Sequence, residues 1–456
     1  MDHRFADGTS AATVPFSVVD EAVHLLDSEA APWSIQMEVR VAGHLDEGRL
    51  RAAFRHALAV HPMARARKAP SGRTEHTDRW QIEPGVDVDP LRVVDCPDDG
   101  AVARVRQVLQ GMAVPLAESP PLRARLARHP GGDLVMLNVN HAAMDAFGAL
   151  GVLRSVARAY ADGPARPPER IAGPDPIRAR DRLLHLVHAD GHTRVRRRLA
   201  LAEKLTDVVM RPARVVPEGP SGKAGYGFHH VSLPAPFTEA LVHLDHPGTV
   251  NDVLLAALHL AIAEWNAQRG EDCGRIGVLV PANLRPPEWR YDVAGNFSLP
   301  ARVLTNRRHR RRPESALRAL TAQTRRKKGA GFGTALLEVL GRSHRLPLWA
   351  KHAMVMSLPL GGNRLVDTAM LSNLGLVADA PSFGADAGPT VEAWFSPPAR
   401  MPLGLTVGAV TVDGRLHLSF RYRHRLFDAR AAGLFADGFL AQLTAIVDRT
   451  ATPMAS

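Results

Sequence analysis

The stretch "LNVNHAAMDAFGALGVLRSVARAYADG" (137–163) places His141 four residues ahead of Asp145. An imidazole titrates near neutral pH and can take a proton from a hydroxyl or amine. A carboxylate just ahead of a helix can cap it. The residues before His141, from Val135, read as an interior strand. Those after it place Phe147, Leu150, Leu153, Val156 and Tyr160 on one helical stripe. His141 therefore stands where a strand turns into a helix. On spacing alone two readings stay open. A lone histidine at a strand end is commonly a packed or surface residue, and Asp145 before a helix is an ordinary N-cap.

The elements that position this pair are legible in outline. "SIQMEVRVAG" (34–43) alternates as a strand. "LDEGRLRAAFRHALAVHP" (45–62) reads as a helix halted by Pro62. A further helix is expected over 102–113. "PLRARLARHPGGDLVMLNVNH" (121–141) reads as two strands joined by a "HPGGD" turn. The Pro-rich run 163–181 is the best linker candidate, with basic helices expected around 181–210. A second half follows: a strand at "GYGFHHVSLP", an apolar helix over 249–270 capped by Thr249 or Asn251, and a buried strand at "RIGVLVPANLR" (275–285). Strands follow at 368–377 and 402–427, the latter a hairpin about Asp413-Gly414, and a last helix at 429–448. Strands and helices mix without strict alternation. This predicts an α+β protein of two lobes, residues 1–175 and 176–456, the second with segments bridging back to the first.

Bulk properties narrow the function classes. The chain has 456 residues, 45% of them hydrophobic, enough for a substantial core. No unbroken apolar run of membrane-spanning length is read, and the N-terminus lacks a signal-peptide core. Cys96 and Cys273 show no metal spacing and no disulfide framework. A cytoplasmic protein with no metal and no membrane partner is expected. Net charge is +11, but only six of the 57 basic residues are lysine. The basic clusters at 194–198, 306–313 and 324–328 have two readings: solvated surface, or a landing site for an acidic carrier or for coenzyme A phosphates. Aromatics are 5% of the chain, too few for a base-stacking platform, so nucleic acid is not expected.

"NHAAMDA" (140–146) resembles the HHxxxDG motif of the condensation-domain superfamily, which includes chloramphenicol acetyltransferase, nonribosomal-peptide condensation domains, and wax ester synthase-type and polyketide-associated acyltransferases. Further stretches resemble the family in the same order: 45–67, 120–141, 249–265, "VPANLRPPEWRYDVAGNFSLPARV" (280–303), "MLSNLGLV" and the final hairpin and helix. The resemblance implies two chloramphenicol acetyltransferase-like lobes in a V with a tunnel between them. It implies an acyltransferase in which His141 is the general base, acting on an acyl thioester of coenzyme A or of a carrier protein's phosphopantetheine. No cofactor would stay bound, and the acceptor would be a small-molecule hydroxyl or amine. Asp145 would pair with Arg285 and hold the loop. Asn296, Ser372, Asn373 and Trp289 are candidates for the tunnel wall, Ser372 also as a donor to the oxyanion. The motif's first histidine is Asn140 and its closing glycine is Ala146, and no "DFGWG" is present. These departures leave three alternatives: a stand-alone enzyme that forms an amide between carrier-bound partners, a degenerate member used for docking, or another reaction such as cyclisation. A natural-product role and a monomer are expected.

Overall fold

The computed structural model describes residues 12–163, 211–219, 224–329, 345–357 and 366–451. The expected boundary near 175, the Pro-rich run beyond Gly163 and the basic segment 181–210 lie outside the described residues.

Five strands form the first sheet: β2 (Ser34–Val41), β5 (Leu91–Asp95), β6 (Leu122–Arg128), β7 (Leu134–Asn140) and β12 (Thr390–Ser396), in the order β12-β2-β7-β6-β5. The alternation in β2 has the expected effect on one face only. Ile35, Met37, Val39 and Val41 enter the core beneath α2 (Glu47–Val60) and α4 (Ala146–Asp162). Ser34, Gln36 and Glu38 are also buried. The opposite face is covered by α3 (Asp99–Gly111) and the second lobe, so its polar groups are paired inside. Glu38, for example, accepts from Arg106 Nε at 2.8 Å. Such pairing is the condition for burying a carboxylate.

A second sheet holds six strands in the order β10-β9-β11-β13-β14-β8. These are β8 (Tyr226–Ser232), β9 (Arg275–Asn283), β10 (Ser298–Asn306), β11 (Ala369–Leu376), β13 (Leu405–Val412) and β14 (Arg415–Arg423). One face packs on the helices Val250–Ala267, Pro313–Gly329 and Ala429–Ala451. A small sheet of β1 (Ala12–Pro15), β3 (Ala66–Lys68) and β4 (Arg79–Ile82) flanks the first lobe. The protein is thus α+β with two lobes, as the sequence implies.

The lobes are tied by chain from the C-terminal half. β12 runs antiparallel to β2, with Trp394 opposite Glu38 and Ser396 opposite Gln36. It crosses β13 so closely that a Cβ on Gly408 would sit 1.9 Å from the Phe395 carbonyl oxygen, so this position requires glycine. The β13–β14 hairpin turns on Asp413 and Gly414, both at positive φ. Thr249 is the N-cap of Val250–Ala267, and its N–H is held by the Asp252 carboxylate at 2.8 Å.

The helix Ala429–Ala451 has the length and hydropathy of a membrane span. Its stripe Ala432, Phe435, Phe439, Leu443 and Ile446 is buried in the second core, which accounts for its apolar character. The basic runs that can be seen are partly structural. Arg310 in 306–313 donates to the Thr305 carbonyl at 2.8 Å, and 324–328 ends the helix Pro313–Gly329, where cations suit the helix dipole.

Candidate active site

β7 is buried along its whole length and ends at Asn140. The chain then turns through 141–145, and α4 begins at Ala146 with Asp145 as N-cap. Asp145 Oδ1 accepts the Gly148 N–H at 3.0 Å. Its other oxygen, Oδ2, accepts Arg285 Nη1 at 2.6 Å, the Phe297 N–H at 2.8 Å and the Ser298 hydroxyl at 2.9 Å. Asp145 is therefore both a helix cap and an ion-pair partner, and the two readings of its position are the same geometry. Burial alone would push its carboxyl up; Arg285 and the backbone N–H groups outweigh that and hold it below the usual carboxylate range.

Arg285 comes from the turn after β9 and reaches from the second lobe into the first. The salt bridge is single-pronged, not bidentate. The remaining guanidinium donors go to carbonyls: Nε to Val293 at 3.0 Å and Nη2 to Gly295 at 2.8 Å. Its plane lies over the Phe297 ring, 4.5 Å from the centroid. One arginine thereby fixes the course of residues 293–297 against the His141 loop.

Those residues deliver Asn296 to the histidine. Asn296 Nδ2 donates to the carbonyls of His141 and Ala142, both at 2.7 Å, and its Oδ1 lies 3.2 Å from His141 Nδ1. Two carbonyl acceptors orient the amide, so Oδ1 faces the ring as an acceptor. The network therefore assigns the proton to Nδ1. Nε2 is left with its lone pair; among the described residues no other side chain hydrogen-bonds to the ring, and the residue is half-buried. Burial lowers the imidazole's affinity for a second proton; Asp145 and neighbouring acceptors offset only part of this. The imidazole is thus neutral at pH 7. Its own N–H is anchored on the Trp33 carbonyl at 3.1 Å.

Asn140, in place of the motif's first histidine, points away from this ring. Its Nδ2 donates to Asp27 Oδ2 and the Val114 carbonyl, both at 2.9 Å, and its Oδ1 accepts the Ala142 N–H at 2.9 Å. It pins the loop from behind. Ala146 is buried as the first residue of α4.

Of the tunnel candidates, only Asn296 joins the cluster. Trp289 packs edge-on against Phe297, with centroids 6.4 Å apart. Ser372 and Asn373 lie on β11; Ser372 is opposite Gly408, and Asn373 Oδ1 accepts the Gly375 N–H at 2.8 Å. Among the described residues no hydrogen bond links either to the His141 cluster. Two participants were not foreseen. Asp20, fully buried on α1 (Val18–Leu26), holds Asn296 Nδ2 at 3.3 Å and Trp80 Nε1 at 3.0 Å. "SVVDEA" (17–22) does carry the Ser-x-x-Asp spacing of a capping box, and that was the available signal. The other is Trp33, which acts through its backbone and leaves no side-chain signature. Among the described residues no group of three or more His, Cys, Asp or Glu side chains is placed to hold a metal.

The chain is 33% identical to "Uncharacterized protein Rv2305" of Mycobacterium tuberculosis over 431 residues, 93% of this chain and 97% of that protein. The chain belongs to that protein's family, and its fold is the condensation-domain fold. The first condensation domain of the calcium-dependent antibiotic synthetase, solved with a substrate analogue, superposes with a TM-score of 0.72 at 17% identity, covering 98% of each chain. The cyclization-docking bidomain of EpoB from Sorangium cellulosum gives 0.67 at 17% identity, over 97% of this chain and 88% of that one. The epimerization domain from the third module of tyrocidine synthetase B gives 0.65 at 16%, over 98% and 99%. No protein-family model matches the chain.

Proposed function

We propose that the protein is an acyltransferase that moves an acyl group from a thioester to a hydroxyl or amine, with His141 as general base. The observation that carries this reading is the ring's hydrogen bonding: Asn296 occupies Nδ1, and among the described residues no side chain takes Nε2. Nε2 takes the acceptor's O–H or N–H proton as the acceptor attacks the thioester carbon. The tetrahedral intermediate collapses, the C–S bond breaks, and the departing thiolate takes the proton back from Nε2. No covalent acyl-enzyme is required. The donor would be a coenzyme A or carrier-protein phosphopantetheine thioester, and the setting natural-product biosynthesis. Asn140 does not weaken the reading, because its hydrogen bonds are those of a loop anchor.

A second reading, base catalysis of a cyclisation on a bound intermediate, draws support from the cyclization domain among the structural neighbours. One assay separates the two. Acyl-coenzyme A and acyl-pantetheine thioesters are incubated with panels of amines and alcohols, thiol release is followed with a disulfide reagent, and products are weighed by mass spectrometry. Both cysteines are buried, so the protein contributes little background. Acyl transfer gives thiol plus an acylated acceptor, lost in His141→Ala. Thiol release with no acylated acceptor for any pair, or wild-type turnover in His141→Ala, overturns the assignment.

A further inference from the structure

Arg421 and Arg423 occupy alternate positions on β14, so both side chains leave the same face of the second sheet. That face looks toward the first lobe. Tyr226 on β8 is directly opposite Arg423, and its ring lies against both guanidinium groups, 4.1 Å from Arg421 and 4.4 Å from Arg423. Arg421 is 0% exposed and Arg423 7%.

Among the described residues their close hydrogen bonds go to neutral carbonyls, and the Tyr226 hydroxyl faces Arg421. Arg421 Nη1 donates to Ser34 at 3.2 Å and Pro397 at 3.3 Å; Arg423 Nη2 donates to Ala30 at 3.3 Å. Among the described residues, Nε and Nη2 of Arg421, Nε and Nη1 of Arg423 and the Tyr226 hydroxyl have no close hydrogen-bond partner. Among the described residues no carboxylate forms an ion pair with either arginine. Buried Arg285 and half-buried Arg106 each have one. Two adjacent positive charges out of water, with directed donors and no counter-charge, are costly unless an anion joins them. Burial and the neighbouring Arg423 accordingly push the Arg421 guanidinium down to about 10.

We propose that Arg421, Arg423 and the Tyr226 hydroxyl form a binding site between the lobes for an oxyanion, the carboxylate or phosphate group of a small molecule. Guanidinium forks suit planar carboxylates and phosphates through charge-assisted bonds. Residues 28–30, on the Arg423 side, are exposed. The inner end bears on the catalytic loop: Arg421 holds Ser34, and the adjacent Trp33 carbonyl receives the His141 N–H.

The test uses the whole chain and inorganic phosphate or acetate as probe, titrated at constant ionic strength made up with sodium chloride. Thermal shift and calorimetry read binding without any activity, so they succeed or fail independently of the acyl-transfer assignment. Saturable stabilisation is expected in the wild type. It should persist in Arg430→Gln, an exposed arginine on the neighbouring helix, and weaken about tenfold or more in Arg423→Gln. Should Arg423→Gln fail to fold, Arg423→Lys and Tyr226→Phe replace it, each with a smaller loss of affinity. Wild-type stabilisation that does not saturate, or titrations that superimpose for wild type and the Arg423 and Tyr226 variants, overturn the proposal. Phosphate that competes with the acceptor in a transfer assay identifies the ligand as the acceptor's own oxyanion. Phosphate that binds but leaves the acceptor KM unchanged identifies a free ion at the same site.

Discussion

Asp145 and Arg285 are 140 residues apart in the chain and 2.6 Å apart in the fold, with both side chains sealed from solvent. The pair joins the start of α4 in the first lobe to the segment that carries Asn296 from the second. Asp145 also caps α4, so one carboxylate fixes the helix entry, the lobe contact and the loop holding His141.

Replacing Asp145 by asparagine keeps the size of the side chain and removes its charge. Arg285 is then left buried without a counter-charge, a loss of about 3–5 kcal/mol. A fall in chemical-denaturation midpoint of that size is expected, with reduced transfer activity. Arg285→Gln should cost a similar amount. The double variant Asp145→Asn/Arg285→Gln should be clearly more stable than the sum of the single losses, because it leaves no lone charge. Additive losses would show that the ion pair contributes nothing beyond its hydrogen bonds.

How much of this was legible follows from where each signal lies in the chain. The strand–turn–helix around His141 is local: β7 is mostly apolar, the helix stripe has its period, and Gly163 at φ 78° stops α4 where expected. Arg285 was reachable only through the resemblance, since nothing near it in sequence says that it faces Asp145. Asn296 was placed merely on the tunnel wall. Its role depends on a hydrogen bond across 155 residues, and a single asparagine has no period or spacing to announce that. Asp20 went unread for the same reason, although the capping box around it is a local sign. The addition of β12 to β2 is a pairing across most of the chain, for which alternation in either strand gives no partner.

Asn296→Ala tests the tautomer argument. The ring loses the acceptor at Nδ1, and the carbonyls of His141 and Ala142 lose their shared donor. The fraction of rings with a free Nε2 falls, so kcat should drop at least about tenfold with little change in KM. A purely structural residue would lower the melting temperature and leave kcat per folded molecule intact.

The pH–rate profile should carry the His141 environment. A base must be unprotonated, and burial lowers this imidazole's pKa below its ordinary value. The acid limb of kcat/KM for the free enzyme is therefore expected below pH 6.5, with activity retained on the alkaline side of that limb. Asn296→Asp would put a carboxylate at Nδ1, favour the imidazolium and move the limb upward. An acid limb above 6.5 in the wild type would contradict the half-buried, neutral imidazole.

His61 and His259 make the stability of the whole chain sensitive to acid. His61 meets Ser155 Oγ at 2.9 Å, and His259 meets Thr305 Oγ1 at 2.8 Å, both inside the cores. Burial pushes their pKa values down to about 4 and about 3. The unfolded chain keeps the ordinary 6.5, so between these values it binds more protons than the folded one. Stability is accordingly full above pH 6.5 and falls as pH drops below it, each histidine contributing roughly 3 kcal/mol of loss by pH 4. Denaturant midpoints measured from pH 7 to pH 4 should fall steadily, and His61→Gln should flatten the curve while costing some stability at pH 7. A wild-type curve flat to pH 4 would mean that neither ring is held neutral by the fold.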